Sequence, residues 1–228
     1  MGNLCIITAR GGSKRIPRKN IKLFLGKPII AYSIQAAIQS KLFDEVMVST
    51  DDDEIAAIAR EYGAKIPFKR SNENSDDFAT TYDVVEEVLL KYKSDLNKKY
   101  DYACCIYPTA PFVSSENLNA AFKLLVENSF DSVLPVMPFS FPIQRALKKN
   151  ESSKIEFFNN KFATTRSQDL EKSFHDAGQF YWFNTERCLK SKMLLTDNSG
   201  SIEISELQAQ DIDNETDWKL AELKYELL

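Results

Sequence analysis

The sequence predicts an α/β fold: a three-layer α/β/α sandwich on a mostly parallel sheet, with a small inserted arm. Three observations carry this. Short apolar runs, Leu4-Cys5-Ile6-Ile7-Thr8-Ala9 and Tyr102-Ala103-Cys104-Cys105-Ile106-Tyr107, read as strands buried on both faces. Helical patterns alternate with such strands along the first part of the chain, the order that builds parallel sheets through crossovers. At 228 residues, with 43% hydrophobic and 27% charged, the chain is long enough for one good core. Residues 1–228 read as a single domain, with the arm at about 138–174.

The elements follow in order. The first strand, at 4–9, empties into a glycine-containing basic loop. Residues 27–42 have Pro28 near the start and Ile30, Ile34, Ala37 and Ile38 at helical spacing. A strand at 45–50 precedes a helix at 51–62, with acids in its first turn and Gly63 as its stop. Thr80 or Thr81 caps a helix running to about residue 92, with Val84, Val85, Val88 and Leu89 inward. The strand at 102–107 leads to a helix at 116–127 capped by Ser114 or Ser115, and residues 132–136 form another strand. Periodicity then fails. The stretch 155–162 reads as a hairpin, and its aromatics Phe157, Phe158, Phe162 and Phe174 invite burial against a second subunit, or a loop folded over its own core. Strand returns at 179–183, and an amphipathic helix closes the chain at 217–228.

Composition excludes several functions. A net charge of −4 disfavours nucleic acid as a partner, so the positive charge near the N-terminus is local and suits a small anion. No basic start with a long apolar run marks a targeting signal, and no run has the length of a membrane span; a cytoplasmic protein is expected. Cys5, Cys104, Cys105 and Cys188 fit neither a disulfide framework nor a zinc spacing and read as core residues. His175 is the single histidine, which argues against a multi-histidine metal site.

Five constellations carry chemistry. Arg10-Gly11-Gly12-Ser13-Lys14-Arg15-Ile16-Pro17-Arg18-Lys19-Asn20 brings five cations and two glycines to a strand end, a cradle for a nucleoside triphosphate. In Gln210-Asp211-Ile212-Asp213 an extended backbone aims both carboxylates one way, which suits Mg²⁺ shared with phosphate oxygens; the alternative is acids at a helix start, with Asp213 or Asn214 as cap. Arg70 and the hydroxyls of Thr80 and Thr81 fit a base or sugar. Tyr107-Pro108-Thr109-Ala110-Pro111 is a stiff turn at a strand end. Arg166-Ser167-Gln168-Asp169, with His175, Gln179 and Tyr181 among aromatics, offers polar edges and flat faces for a sugar acid.

Together these residues resemble the acylneuraminate (CMP-sialic acid synthetase-like) cytidylyltransferases over nearly the whole chain. The resemblance implies a nucleotide-diphospho-sugar transferase-like, Rossmann-like fold and a homodimer joined by the arm. It implies that Ala9, Arg10, Gly11, Gly12, Ser13, Lys14 and Lys19 hold the phosphates of CTP, and that Asn20, Arg70 and Thr80 meet the rest of the nucleotide. Asp211 and Asp213 would bind Mg²⁺. Arg10, Lys19 and Asp211 would be catalytic. Tyr107, Thr109, Arg166, Gln168, Asp169, His175, Gln179 and Tyr181 are expected on the sugar side. The family keeps glutamine where this chain has Tyr107, and Asn-Gly where it has Asp176-Ala177-Gly178-Gln179. Those two departures make the chain similar to the bacterial pseudaminic acid cytidylyltransferases, which supply precursors for flagellin and surface glycans.

The expected reaction is CTP plus pseudaminate giving CMP-pseudaminate and pyrophosphate, a nucleotidyl transfer by in-line attack of the sugar's anomeric hydroxyl. Asp211, or else His175, takes its proton. Sialic, legionaminic or 3-deoxy-octulosonic acid are the alternative acceptors. A non-catalytic nucleotide-binding module and a glycosyltransferase of similar sheet architecture are the readings from other classes.

Overall fold

A computed structural model describes residues 2–228. In chain order its elements are β1 (Asn3–Thr8), β2 (Leu23–Phe24), β3 (Lys27–Pro28), α1 (Ile29–Ser40), β4 (Glu45–Ser49), α2 (Asp53–Glu61), α3 (Thr81–Asp95), β5 (Tyr102–Ile106), α4 (Ser115–Glu127), β6 (Ser132–Pro138), β7 (Leu147–Lys149), β8 (Ile155–Phe157), β9 (Phe174–Asp176), β10 (Phe180–Asn184), α5 (Thr185–Ser191), β11 (Ser199–Glu203) and α6 (Glu215–Tyr225).

The main sheet has the order β11-β6-β10-β5-β1-β4, with β9 paired to β6. β4, β1, β5, β6 and β11 run one way, and β10 and β9 oppose them. The residue alternation of β1 and β5 splits the core. Cys5, Ile7, Cys104 and Ile106 pack beneath Ile30 and Ile34 of α1, Ile55 of α2 and Leu118 of α4. Leu4, Ile6, Ala103 and Cys105 face Val85, Val88 and Tyr92 of α3 and Cys188 of α5. Adjacent Cys104 and Cys105 therefore lie on opposite faces, and all four cysteines are buried and free.

Local chemistry sets the helix ends. Asp52 caps α2 by accepting from the N–H groups of Glu54 and Ile55, at 3.0 and 2.9 Å. Gly63 follows at φ +94°, a conformation only glycine adopts freely. Thr80 and Asp83 form a reciprocal capping box at the start of α3, which runs on to Asp95, beyond the expected residue 92. Asn214, not Asp213, caps α6, which begins at Glu215, ahead of the expected residue 217.

The hairpin expected within 155–162 is displaced. Ile155–Phe157 pairs backwards with Leu147–Lys149, while residues 160–162 form a 3-10 turn. Asn150 causes this: its side-chain oxygen accepts from the N–H groups of Ser152 and Lys154, at 3.1 and 3.0 Å, closing a turn upstream. Asn159 in turn caps the 3-10 turn through the N–H of Lys161.

A separate apolar cluster joins Ile16, Phe24, Ile29, Tyr32, Phe112, Ile212 and Trp218. It fastens the end of the basic loop to the segment that precedes α6. No described helix is long and apolar enough to cross a membrane.

Candidate active site

The parallel strands direct their carboxyl ends to one edge, and the loops that follow them build the site there. Ala9 ends the first strand region, buried, its N–H donating to the Ser49 carbonyl at 3.0 Å. The basic loop then turns over the end of β4. The Gly11 N–H donates to Asp51 Oδ1 at 2.9 Å, and a Cβ at Gly11 would stand 2.9 Å from Asp52 Oδ2, so any side chain there would force Asp52 to move. Gly12 has open space around it. The Ser13 N–H donates to the Gly11 carbonyl at 3.0 Å.

The five cations divide into two kinds. Arg18 is a brace: its guanidinium donates to both Asp52 oxygens at 2.5 and 2.9 Å and to Glu54 at 2.5 Å. This pairing, opposed by burial and aided by the cap hydrogen bonds, holds the Asp52 carboxyl down at about 2. Arg10, Lys14, Arg15 and Lys19 instead line a cavity of about 410 Å³ with Ser13, Asn20, Pro108 and Thr109. Arg10 and Lys14 both pair with Asp77, and Arg10 also donates to the Asp76 carbonyl. Arg15 pairs with Asp213 at 2.7 Å.

Lys19 is half-buried, and its Nζ donates to the Ile212 carbonyl at 2.7 Å. Burial lowers its pKa, against the pull of Asp213 and Asp211. Ile212 itself is 1% exposed, so the two carboxylates flanking it turn the other way, toward the loop. The Asp211 carboxyl is raised first by burial and then by the charge of Asp213. Two like charges partly removed from water are a ready seat for a cation.

Several expected ligands make framework contacts in the structure. Asn20 is 5% exposed and its Nδ2 donates to the Arg10 carbonyl at 2.8 Å, propping the loop from below. Arg70 is buried, with Nε and a terminal nitrogen on Ser49 Oγ at 3.0 Å and the Ser49 carbonyl at 2.5 Å. Burial brings its pKa down to about 10, against the pull of Asp51 and Glu87. The Thr80 hydroxyl is engaged with Asp83 at 2.7 Å in the capping box, whereas Thr81 points at the Tyr107 hydroxyl, 3.2 Å away. Gln179 is 2% exposed, and its Nε2 donates to the Gln208 carbonyl at 2.5 Å, tying down the segment that leads to Asp211.

A second cavity of about 320 Å³ adjoins Asp211. His175, Asp176, Ala209, Gln210 and Lys224 share its lining. The His175 ring lies 4.9 Å from that of Phe139, and its Nδ1 is 3.0 Å from the Asp176 carbonyl. Tyr107 and Tyr181 meet edge-on at 5.7 Å between centroids. Arg166, Gln168 and Asp169 lie in the arm: Arg166 pairs with Asp169 at 2.8 Å, and Gln168 lines a cavity with Phe139, Ser140 and Phe141, Ser140 also lining the cavity beside Asp211. Asp176, which lines the cavity beside Asp211, is absent from the residues expected on the sugar side, although it directly follows His175 in the chain.

A family model described as cytidylyltransferase matches residues 4–208, the stretch that carries the basic loop and most of the sheet. The chain belongs to the cytidylyltransferase family. The pseudaminic acid cytidylyltransferase of Campylobacter jejuni is 42% identical over 227 residues, covering 100% of this chain and 97% of that protein. The CMP-N,N'-diacetyllegionaminic acid synthase of Legionella pneumophila is 31% identical, covering 98% and 96%. The solved structure of CMP:2-keto-3-deoxy-manno-octonic acid synthetase complexed with CTP matches with a TM-score of 0.71 over 100% of both chains; at 17% identity this shows the shared fold. The fold expected from the sequence is thus the fold of this family.

Proposed function

We propose that this cytidylyltransferase moves CMP from CTP to pseudaminic acid and releases pyrophosphate. One observation carries the reading: the basic-loop cavity and the Asp211 and Asp213 carboxylates converge at the sheet's carboxyl edge. The 42% identity over the full chain to a pseudaminic acid cytidylyltransferase supports that sugar among the nonulosonic acids.

In this reading Arg10, Lys14 and Lys19, with loop N–H groups, take the triphosphate, which competes with Asp77 for the cations. Asn20, Arg18 and Arg70 hold the loop and strand end that position them. The sugar's anomeric hydroxyl attacks the α-phosphorus in line; its new O–P bond forms as the bond to pyrophosphate breaks. Asp211 accepts the hydroxyl proton, with His175 as second candidate in the adjoining cavity. Lys19 and Arg10 meet the charge that builds on the leaving pyrophosphate.

Asp211 and Asp213 fit Mg²⁺. No described group of three or more His, Cys, Asp or Glu residues is placed to hold a metal, so a cation here would complete its shell with phosphate oxygens and water, as Mg²⁺ does. Bound there, it would neutralise phosphate charge. The arm exposes Phe141 at 83%, Ile155 at 69% and Phe158 at 68%, an apolar face that a second copy of the chain would cover.

Pyrophosphate release tests the function. The protein with Mg²⁺ is given CTP, ATP, GTP or UTP, each against pseudaminic, legionaminic, sialic and 3-deoxy-octulosonic acids. Release confined to CTP with pseudaminate is expected. Release with another acid moves the sugar assignment, and CTP binding with no release from any pair leaves a binding module. Asp211→Ala should cut the rate by about 100-fold or more with an unchanged melting temperature; full activity would remove Asp211 from the mechanism.

A further inference from the structure

Thr81, Tyr107, Tyr181 and Asp176 form a continuous row of polar groups drawn from α3, the turn after β5, β10 and β9. Thr81 Oγ1 is 3.2 Å from the Tyr107 hydroxyl, which is 3.5 Å from the Tyr181 hydroxyl. Tyr181 donates to Asp176 Oδ2, and the other oxygen of Asp176 accepts the Gly178 N–H at 2.8 Å. Burial raises the pKa of both phenols, so each keeps its one proton at neutral pH.

Counting protons fixes the direction of every bond. A carboxylate only accepts, so the Tyr181 proton goes to Asp176. Tyr107 must then donate to Tyr181, and Thr81 to Tyr107. Each hydroxyl proton is used within the row, and only oxygen lone pairs remain for a ligand. A carbonyl or carboxylate placed against this row would meet acceptors alone. An amide N–H, which cannot rotate to seek another partner as a hydroxyl can, is the group most in need of such a surface.

We infer that this row is an acceptor-only wall that selects a sugar acid by the N–H of an acylamino group, with Asp176 the positioning residue that sets its polarity. This rests on the proposed function, in which this side of the site takes the sugar.

The test measures pyrophosphate release at saturating CTP with pseudaminic acid and with its two counterparts in which one N-acetyl is replaced by O-acetyl. The ester keeps the carbonyl and methyl and lacks the N–H. The wild-type KM should be about 10-fold higher for one ester, the size of one lost hydrogen bond. In Tyr107→Phe the KM for pseudaminic acid should rise by a similar factor and the discrimination collapse to about one, with the KM for CTP unchanged. Asp176→Asn, a change at an exposed position, can donate or accept, so it should also weaken the discrimination without altering the KM for CTP. Equal KM values for amide and both esters in the wild type, or full discrimination in Tyr107→Phe, would overturn the inference and leave the proposed function standing. If the wild type turns over no nonulosonic acid with CTP, the function itself fails and the inference falls with it.

Discussion

Asp52 couples the basic loop to the sheet, and its replacement separates two contributions. Its carboxylate caps α2 through two N–H groups and grips the Arg18 guanidinium through two more bonds. The cap contributes about 1 kcal/mol. The drop in the Asp52 carboxyl from 3.8 to about 2 would convert to roughly 2.5 kcal/mol, but it includes the cap bonds. Arg18 is also 39% exposed, so solvent screening reduces the charge contribution to about 1 kcal/mol. Asn is as good a cap as Asp but carries no charge. Asp52→Asn should therefore cost about 1 kcal/mol and Asp52→Ala about 2, or about 2–4 and 4–8 °C in melting temperature for a chain of this size.

The charge part has a defined pH dependence. The folded pKa lies below the unfolded value, so this stability is present above about pH 4 and is lost as the pH falls through about 2. Urea unfolding at about pH 7 and about pH 3 should show the gap between wild type and Asp52→Asn narrowing in acid. A gap that stays constant or widens would refute the ion-pair account. An Asp52→Asn protein as unstable as Asp52→Ala would refute the cap.

Glu45→Ala tests the far end of the sheet. Glu45 is buried, accepting from Tyr92 at 2.6 Å and Lys98 at 2.9 Å, so the variant strands the Tyr92 hydroxyl and should lose about 2–3 kcal/mol in urea unfolding. Its KM for CTP should not change, since Glu45 begins the strand whose other end meets the loop. In the arm, Phe141→Ser with Phe158→Ser should convert a dimer to a monomer in light scattering at about micromolar protein; a wild type that is already monomeric would remove the arm from assembly. Lys19→Met should reduce kcat/KM for CTP by about 100-fold or more while pyrophosphate release remains detectable, because it deletes both the proposed phosphate cation and the tie to the Ile212 carbonyl. An unchanged kcat/KM would place the triphosphate elsewhere.

The strands and helices were legible because their signals are local. The run from Leu4 to Ile7 has no polar face to show water, and Thr80 with Asp83 spells its own capping box three residues apart. The hairpin of the arm was misplaced because strand pairing is a choice between partners. The turn at Asn150 settles it through side-chain bonds that hydrophobic alternation does not record.

Among site residues, the sequence by itself determined the chemistry on offer: a glycine-bearing cationic loop at a strand end and two carboxylates alternating about a buried Ile212. Only the tertiary structure decided which cations brace and which face the cavity. Arg18 and Arg10 are the same residue type in the same loop, yet Arg18 closes on Asp52 and Arg10 lines the cavity. It likewise turned Thr81 rather than Thr80 toward Tyr107, sank Gln179 under residue 208, and left Arg166, Gln168 and Asp169 in the arm. The physical reason is that residue type sets charge and hydrogen-bonding capacity, which travel with the sequence. Direction and burial come from packing between segments far apart in the chain, as where the Lys19 ammonium meets the carbonyl of Ile212.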